Sequence, residues 1–258
     1  LGKGKVTDFL TISFSSTDYV GHQFGPNSIE VEDTYLRLDK DLAELLTFLD
    51  TYIGKQNVLV FLTADHGAAL VPDYLTSQKI PAGVFDGKPV IDSLKHYLNA
   101  EYGNGEWVKF YTNQQVYFNH DLIISKRVNK EEMEDKAANF LIAFKGVANV
   151  ITATTLQKTE FTKSIENKIE NGYYRKRSGD IIITLEPAWF EGHDKGTTHG
   201  EAYGYDTHVP LLWYGGMIKE GSTINPINIT DIAPTIAQLL DIESPNGCVG
   251  VPIAEVIK

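Results

Sequence analysis

Three short clusters carry residues able to do chemistry. Asp18 and His22 stand four positions apart, Asp65 and His66 are adjacent and followed by Gly67, and His199 sits inside Gly196-Thr197-Thr198-His199-Gly200. Together they offer three imidazoles and two carboxylates, a nitrogen–oxygen donor set that suits zinc, with manganese or iron as substitutes. The one cysteine, Cys248, can neither pair internally nor build a thiolate site. Each cluster also has a plain structural reading. An Asp-His pair after a strand can be a cap beside a surface histidine, and Gly-Thr-Thr-His-Gly can be a turn. The residues alone leave both readings open. Metal binding gains because the plain account would have to hold independently at three strand ends.

The elements that must position these clusters can be read from periodicity. Residues 6–14 are mostly apolar and β-rich, which predicts a buried strand ahead of Asp18. Val31, Tyr35, Leu38, Leu42, Leu45, Leu49 and Tyr52 recur at alternating spacings of four and three. That pattern predicts a helix, capped by Asn27 with Glu30 and ended by Gly54. Residues 57–63 predict a second buried strand ahead of Asp65. Strand, helix and strand form a βαβ unit, and a parallel sheet gathers its chemistry at the carboxyl ends of its strands. Residues 180–186 predict another buried strand before His199, and 208–214 a short one. Asp231 to Leu240 predicts a helix with Pro234 in its first turn. From about 72 to 180 the pattern changes to short strands (107–112, 115–119, 147–154) and amphipathic helices (90–102, 129–145). This predicts an inserted α+β subdomain.

The clusters and their surroundings resemble a known family. Ser16-Thr17-Asp18-Tyr19-Val20-Gly21-His22-Gln23-Phe24-Gly25-Pro26 is similar to the D-x-x-G-H-x-x-G-P signature of the type I phosphodiesterase/nucleotide pyrophosphatase branch of the alkaline phosphatase superfamily. Thr63-Ala64-Asp65-His66-Gly67 resembles its T-x-D-H-G, and Thr198-His199-Gly200 with Val209-Pro210-Leu211 resembles its H-G…V-P-L. Asp231-Ile232-Ala233-Pro234-Thr235 resembles its D-I-x-P-T helix, and Asn246-Gly247 through Gly250 its closing N-G-x-x-G. The order is right, the matches span residues 14 to 252, and as a set they are specific. Within the branch the likeness is greatest to secreted bacterial alkaline phosphatases with a threonine nucleophile.

The resemblance implies an α/β, alkaline-phosphatase-like fold, with a mostly parallel sheet flanked by helices and an inserted subdomain. It implies that Asp18, His22 and His199 hold one zinc, and that Asp65 and His66 are ligands of a second. The family's further Asp ligand, its nucleophilic Thr and its phosphoryl-binding Lys and Arg have no counterpart here and would precede Leu1. The chain therefore reads as the C-terminal part of a catalytic domain, inactive alone and holding one complete zinc site of two. A phospho-threonine mechanism on small phosphate esters is implied, with a phosphomonoesterase first and a phosphodiesterase second. Periplasmic or secreted localisation follows from the same likeness. A sulfatase would need a Cys or Ser near the N-terminus, and Cys248 is at the other end. The serine region of the phosphoglycerate mutases would also lie upstream. A reading of another class is a non-catalytic, zinc-stabilised fragment.

Charge and composition bound the rest. Hydrophobic residues make up 42% and charged residues 22% of the 258, so the chain can bury a core. A net charge of −11 argues against nucleic acid as a partner. The longest apolar run, Val58 to Leu62, is far short of the roughly 20 residues a membrane span needs. Nothing in the sequence fixes the oligomeric state. Among other candidates, Asp206 is placed to orient a ligand histidine, while His208 reads as structural. Thr197 and Thr198 read as loop hydrogen-bonders, and Tyr173 to Arg177 as a solvated basic turn. His96, His120 and His193 have no matching partners. Asp33, Asp39 and Asp41 lie on the solvated face of the long helix.

Overall fold

The computed structural model describes residues 1–192, 196–216 and 218–257. The chain opens with α1 (Ser16–Phe24), α2 (Ile29–Tyr52), β1 (Leu59–Thr63), α3 (Pro72–Ser77), β2 (Gly83–Phe85) and α4 (Gly87–Tyr102). It continues with β3 (Val108–Thr112), β4 (Gln115–Phe118), α5 (His120–Lys126), α6 (Lys130–Leu141), β5 (Val147–Thr152), α7 (Ala153–Lys158) and α8 (Ile165–Gly172). Last come β6 (Ile181–Leu185), β7 (Trp189–Glu191), α9 (Gly204–Thr207), β8 (Leu211–Gly215), α10 (Ile232–Leu239) and α11 (Ala254–Ile257). Residues 1–13, 36–65 and 210–258 make one compact unit, and residues 14–35 and 66–209 another.

In the first unit β1 and β8 pair antiparallel, with Leu59 opposite Gly215 and Thr63 opposite Leu211. The closing motifs explain themselves there as an interlock. The Asp231 carboxylate accepts the N–H of Asn228 at 2.8 Å and that of Val251 at 2.9 Å. The Thr235 hydroxyl donates to the Asp231 carbonyl at 2.6 Å and accepts the Ile253 N–H at 2.8 Å. A Cβ at Gly250 would stand 2.0 Å from the Thr230 carbonyl oxygen, so only glycine allows the approach. Aspartate, threonine and glycine in these two motifs thus build structure, with both carboxylate oxygens of Asp231 occupied.

The second unit is organised by a four-stranded antiparallel sheet in the order β3-β4-β6-β5. Helix α6 packs on β5 and β6, and α4 packs on α6. The core between them includes Leu94, Leu98, Trp107, Met133, Leu141 and Ile183. Helix starts in this region are set by capping side chains, each accepting a backbone N–H that would otherwise be orphaned. Asp86 caps α4, Asn119 α5, Asn129 α6, Thr152 α7 and Ser164 α8.

Three expectations change. Residues 6–14 are neither helix nor strand and lie largely exposed, and no ladder partner for them is formed among the described residues. Apolar β-rich composition describes a side-chain preference, but a strand also needs a neighbour for its backbone groups. The parallel pairing expected of the sheet is accordingly realised, among the described strands, only between β2 and β7. The long helix appears as expected, but its cap is Ser28, whose hydroxyl accepts the Val31 N–H at 3.2 Å, and not Asn27.

One buried polar group organises the second unit's core. Glu134 on α6 is fully buried. It bonds the Lys130 ammonium and, through its other oxygen, the Thr154 N–H at 3.1 Å. Lys130 also reaches Asp180 at 2.9 Å, and Asp180 takes the Phe118 N–H at 2.8 Å and faces His120 at 2.8 Å. Burial would push the Lys130 pKa down, but its bonds to Glu134 and Asp180 outweigh that and raise it. Removing Lys130 would leave the Glu134 charge buried and uncompensated, while removing Glu134 leaves a void and an unsatisfied Thr154 N–H. The substitution Glu134→Ala is therefore expected to destabilise the protein by about 3 kcal/mol, read as a lower urea midpoint at unchanged slope.

Candidate metal centre

The centre lies within the second unit and is assembled from three segments. The first is α1, a helix where the sequence suggested only a polar stretch. A helix puts positions four apart on one face, so Asp18 and His22 project together. The Nε2 of His22 lies 3.3 Å from Asp18 Oδ1. The second segment starts at His66, just beyond β1, and the third runs from Gly196 to Asp206. The Nε2 atoms of His66 and His199 each lie 3.9 Å from the same Asp18 Oδ1. Three imidazoles thus turn the same nitrogen toward one carboxylate oxygen.

The opposite nitrogens explain the orientation. Nδ1 of His22 is 2.8 Å from the Thr197 carbonyl, and Nδ1 of His66 is 2.8 Å from the Gly67 carbonyl. A carbonyl can only accept, so each Nδ1 carries the proton and each Nε2 is the nitrogen turned toward Asp18. Thr197 N–H returns a bond to the His22 carbonyl at 3.0 Å, closing a reciprocal pair. The His66 and His199 rings stack with centroids 3.3 Å apart, and those of His22 and His199 lie 5.2 Å apart. Burial, then the neighbouring His66, lowers the His199 pKa, with Asp18 opposing. A neutral His199 keeps its lone pair for a ligand.

Backbone contacts stitch the segments. Gly67 N–H donates to the Asp206 carbonyl at 2.7 Å, and Ala69 N–H to that of Thr198 at 3.3 Å. The Thr197 hydroxyl donates to the Ala69 carbonyl at 2.5 Å, a loop role as expected. Two glycines are obligatory. Gly196 has φ +85°, and a Cβ there would stand 2.2 Å from the His22 carbonyl oxygen. A Cβ at Gly67 would stand 2.0 Å from that of Tyr205.

Donor chemistry and spacing both fit a divalent ion. Asp18, His22 and His199 offer donor atoms all within 4.8 Å of one another. Tetrahedral zinc with bonds of about 2.0–2.1 Å has ligand–ligand edges of about 3.3 Å, which the 3.3 Å between Asp18 and His22 matches. His66 adjoins this group through Asp18 and the ring stack. Asp65 is exposed and closes a segment of the other unit. Asp206 is buried, and its Oδ2 accepts the N–H groups of Gly200 at 3.0 Å and Glu201 at 2.8 Å. Burial also pushes the Glu201 carboxyl up to about 7. His208 is exposed, and His96 binds the Asp92 carbonyl on its own helix. His120 belongs to the Asp180 network, and Tyr173 to Arg177 includes an exposed turn, with Arg177 over the Tyr174 ring. His193 lies outside the described residues. Sequence reasoning missed the Gly67–Asp206 and Ala69–Thr197 ties. Gly67 and Gly196 flanking the histidine clusters were the available signal, since close backbone approach requires glycine there.

Known proteins resemble this chain in sequence and in fold. Residues 2–206 match the model of the type I phosphodiesterase/nucleotide pyrophosphatase family. The chain belongs to that family, as its motifs implied. Among relatives, a protein of Myroides odoratus named as a calcium-transporting ATPase is 46% identical over 98% of this chain and 47% of its own length. Alkaline phosphatase PafA of Elizabethkingia meningoseptica is 42% identical over 100% of this chain and 47% of its own. The crystal structure of wild-type PafA superposes with a TM-score of 0.93, covering 100% of this chain and 49% of that one. The alkaline-phosphatase-like α/β class is thereby borne out. Human ectonucleotide pyrophosphatase/phosphodiesterase 5, at 17% identity and a TM-score of 0.57 over 89% of this chain and 53% of that one, shares the fold. The chain spans about half the length of the curated relatives it matches. No helix of the described residues is long and apolar enough to cross a membrane.

A substitution that removes no ligand atom checks the stitching. Gly196→Ala forces a left-handed residue and a backbone clash, so it should lower stability by about 2 kcal/mol and weaken metal binding together. Gly172→Ala, where a Cβ meets nothing within 4 Å, should change neither. Thermal melting and metal titration of the two variants compare these outcomes.

Proposed function

We propose that this chain supplies most of the metal ligands of a zinc-dependent phosphoric ester hydrolase, in first place a phosphomonoesterase. Asp18, His22 and His199 hold one zinc. Asp65 and His66 serve the second, whose other ligand and whose nucleophilic threonine come from outside this chain. The observation that carries the reading is the convergence of three Nε2 atoms on one carboxylate oxygen, with two of the Nδ1 atoms already occupied by carbonyls. Bound zinc supplies Lewis acidity, neutralising charge on the oxygens of the phosphoryl group and of the attacking hydroxyl.

The chain's own residues set how much charge is available. One carboxylate and two neutral imidazoles leave a divalent ion with one uncompensated positive charge, which favours an anionic ester. The chain's net charge of −11 gives no long-range attraction, so capture relies on that local field. The Thr197 and Gly67 carbonyls hold the ring orientations. Names of relatives support the substrate class: PafA and PhoV, from Synechococcus elongatus, are named alkaline phosphatases, and the Myroides protein an ATPase. What they share is the phosphoryl group. We further read 72–180 as an inserted cap, small phosphate esters rather than nucleic acid as partners, and the protein as periplasmic or secreted.

Zinc titrated into this chain should bind tightly at about one ion per chain, because one ligand set is complete and the other is half a set. Two tight ions would contradict that division. Asp18→Asn and His199→Ala should each weaken the tight site by about 100-fold or more, measured against a chromophoric chelator. In the full-length protein, p-nitrophenyl phosphate should be hydrolysed faster than bis-p-nitrophenyl phosphate. The reverse ratio assigns a diesterase, and zinc binding with neither ester cleaved assigns a non-catalytic domain.

A further inference from the structure

The loop that carries His199 is held from two sides. Ahead of His199, Thr197 exchanges bonds with His22 and donates to Ala69. Beyond it, the ties run to α8 and to the four-stranded sheet. The Gln114 amide, in the turn between β3 and β4, donates to the Glu201 carboxylate at 2.9 Å, across 87 positions of chain. The Lys168 ammonium, on α8, donates to the Ala202 carbonyl at 2.7 Å and to the Thr207 hydroxyl at 3.0 Å. The Tyr203 hydroxyl donates to the carbonyl of Leu185, the last residue of β6, at 2.7 Å. A single glycine, Gly200, separates His199 from the first of these anchors.

Gln114 is an outlier in its own backbone. Thr112 pairs with Gln115, so Asn113 and Gln114 make a two-residue hairpin turn, and both are left-handed, at φ +47° and +58°. Asparagine tolerates that conformation and glycine takes it freely, whereas the Cβ of glutamine is penalised there. A strained residue persists where its surroundings use it. The use is visible at Glu201, which is 6% exposed and whose buried carboxylate needs donors.

We infer that Gln114 and Lys168 are positioning residues of the metal centre, fixing Glu201 and Ala202 and thereby the place from which His199 presents its ring. The inference rests on the metal reading above. It gives residues 72–180 a task besides that of a cap, as the platform of a ligand loop. Gly200, at φ +117°, is a joint that does not fix its neighbours by itself. The Asp206 carboxylate holds the Gly200 and Glu201 N–H groups, but it belongs to the same loop and sets its shape. The ties to Gln114 and Lys168 set its place against the sheet and α8. A ligand shell has to be held within about 0.5 Å of its productive geometry, which is the precision that anchors on helices and strands supply.

In the full-length protein, Gln114→Met/Lys168→Met removes both donors and keeps both aliphatic stems. Zinc affinity by chelator competition should fall about 10–100-fold. The visible absorption bands of the cobalt(II)-substituted protein, which report ligand geometry, should shift with it. A purely structural role would lower the melting temperature of the metal-free protein and leave both of these readouts in place. Returning a donor, in Gln114→Met/Lys168→Arg, should recover part of the lost affinity. Zinc affinity within about twofold of wild type in the double Met variant, with unshifted cobalt bands, would overturn the inference and leave the metal reading standing. A wild-type protein that binds no zinc would remove both. Should the double variant fail to fold, Lys168→Met, at an exposed position, carries the test. Its expected loss of zinc affinity is about 10-fold, and a loss under about twofold overturns the inference.

Discussion

The candidate centre depends on one reciprocal contact, in which His22 and Thr197 exchange hydrogen bonds across 175 positions of chain. Nδ1 of the histidine meets the threonine carbonyl, and the threonine N–H meets the histidine carbonyl. Two such bonds contribute about 1 kcal/mol each. Closing a loop of that length costs on the order of 5 kcal/mol. The pair therefore cannot assemble itself. What brings its ends together is the apolar core between α4, α6 and the four-stranded sheet, which folds from the intervening residues. The hydrogen bonds then decide ring orientation, which non-directional apolar packing cannot do.

That division of labour explains what could be read from the sequence. Repeating apolar spacing marked α2, α4 and α6, and the short runs at β3 to β6 lay within a residue or two of their observed limits. These elements are dictated by burial, and burial leaves a periodic trace. The ligand candidates Asp18, His22 and His199 were legible because donor types are few and their flanking glycines constrain the backbone. Family motifs then ordered them.

The rest was not legible, for reasons each residue shows. Residues 6–14 have strand composition but no strand partner among the described residues. Helix α1 is short, buries none of its residues fully and contains Gly21, so no apolar period announces it. Ser28 in place of Asn27 is a one-residue shift at a cap, which local geometry settles. The Asp231–Thr235 interlock shows the converse: two motif residues with the look of chemistry turn out to tie backbone. Side-chain type cannot distinguish a carboxylate aimed at a donor set from one aimed at its own peptide groups.

The energetics of the cluster point to binding rather than to folding. Asp18 and the three histidines are between a quarter and two fifths exposed, where an ion pair is worth roughly 0–1 kcal/mol. Against that small gain stands the crowding of three imidazoles, which with burial already lowers the His199 pKa. A chain selected for stability alone would place apolar groups at such a junction, since they would pack without repulsion. A divalent ion would reverse the balance, because the Nε2 lone pairs could become bonds to it and the carboxylate would gain a counter-charge. Ligation of this kind adds directly to the stability of the loops that carry the ligands. Those loops are held here by backbone hydrogen bonds and two obligatory glycines rather than by a core. They are therefore the part of the unit with most to gain from such an ion, and the capped helices and sheet beneath them the part with least.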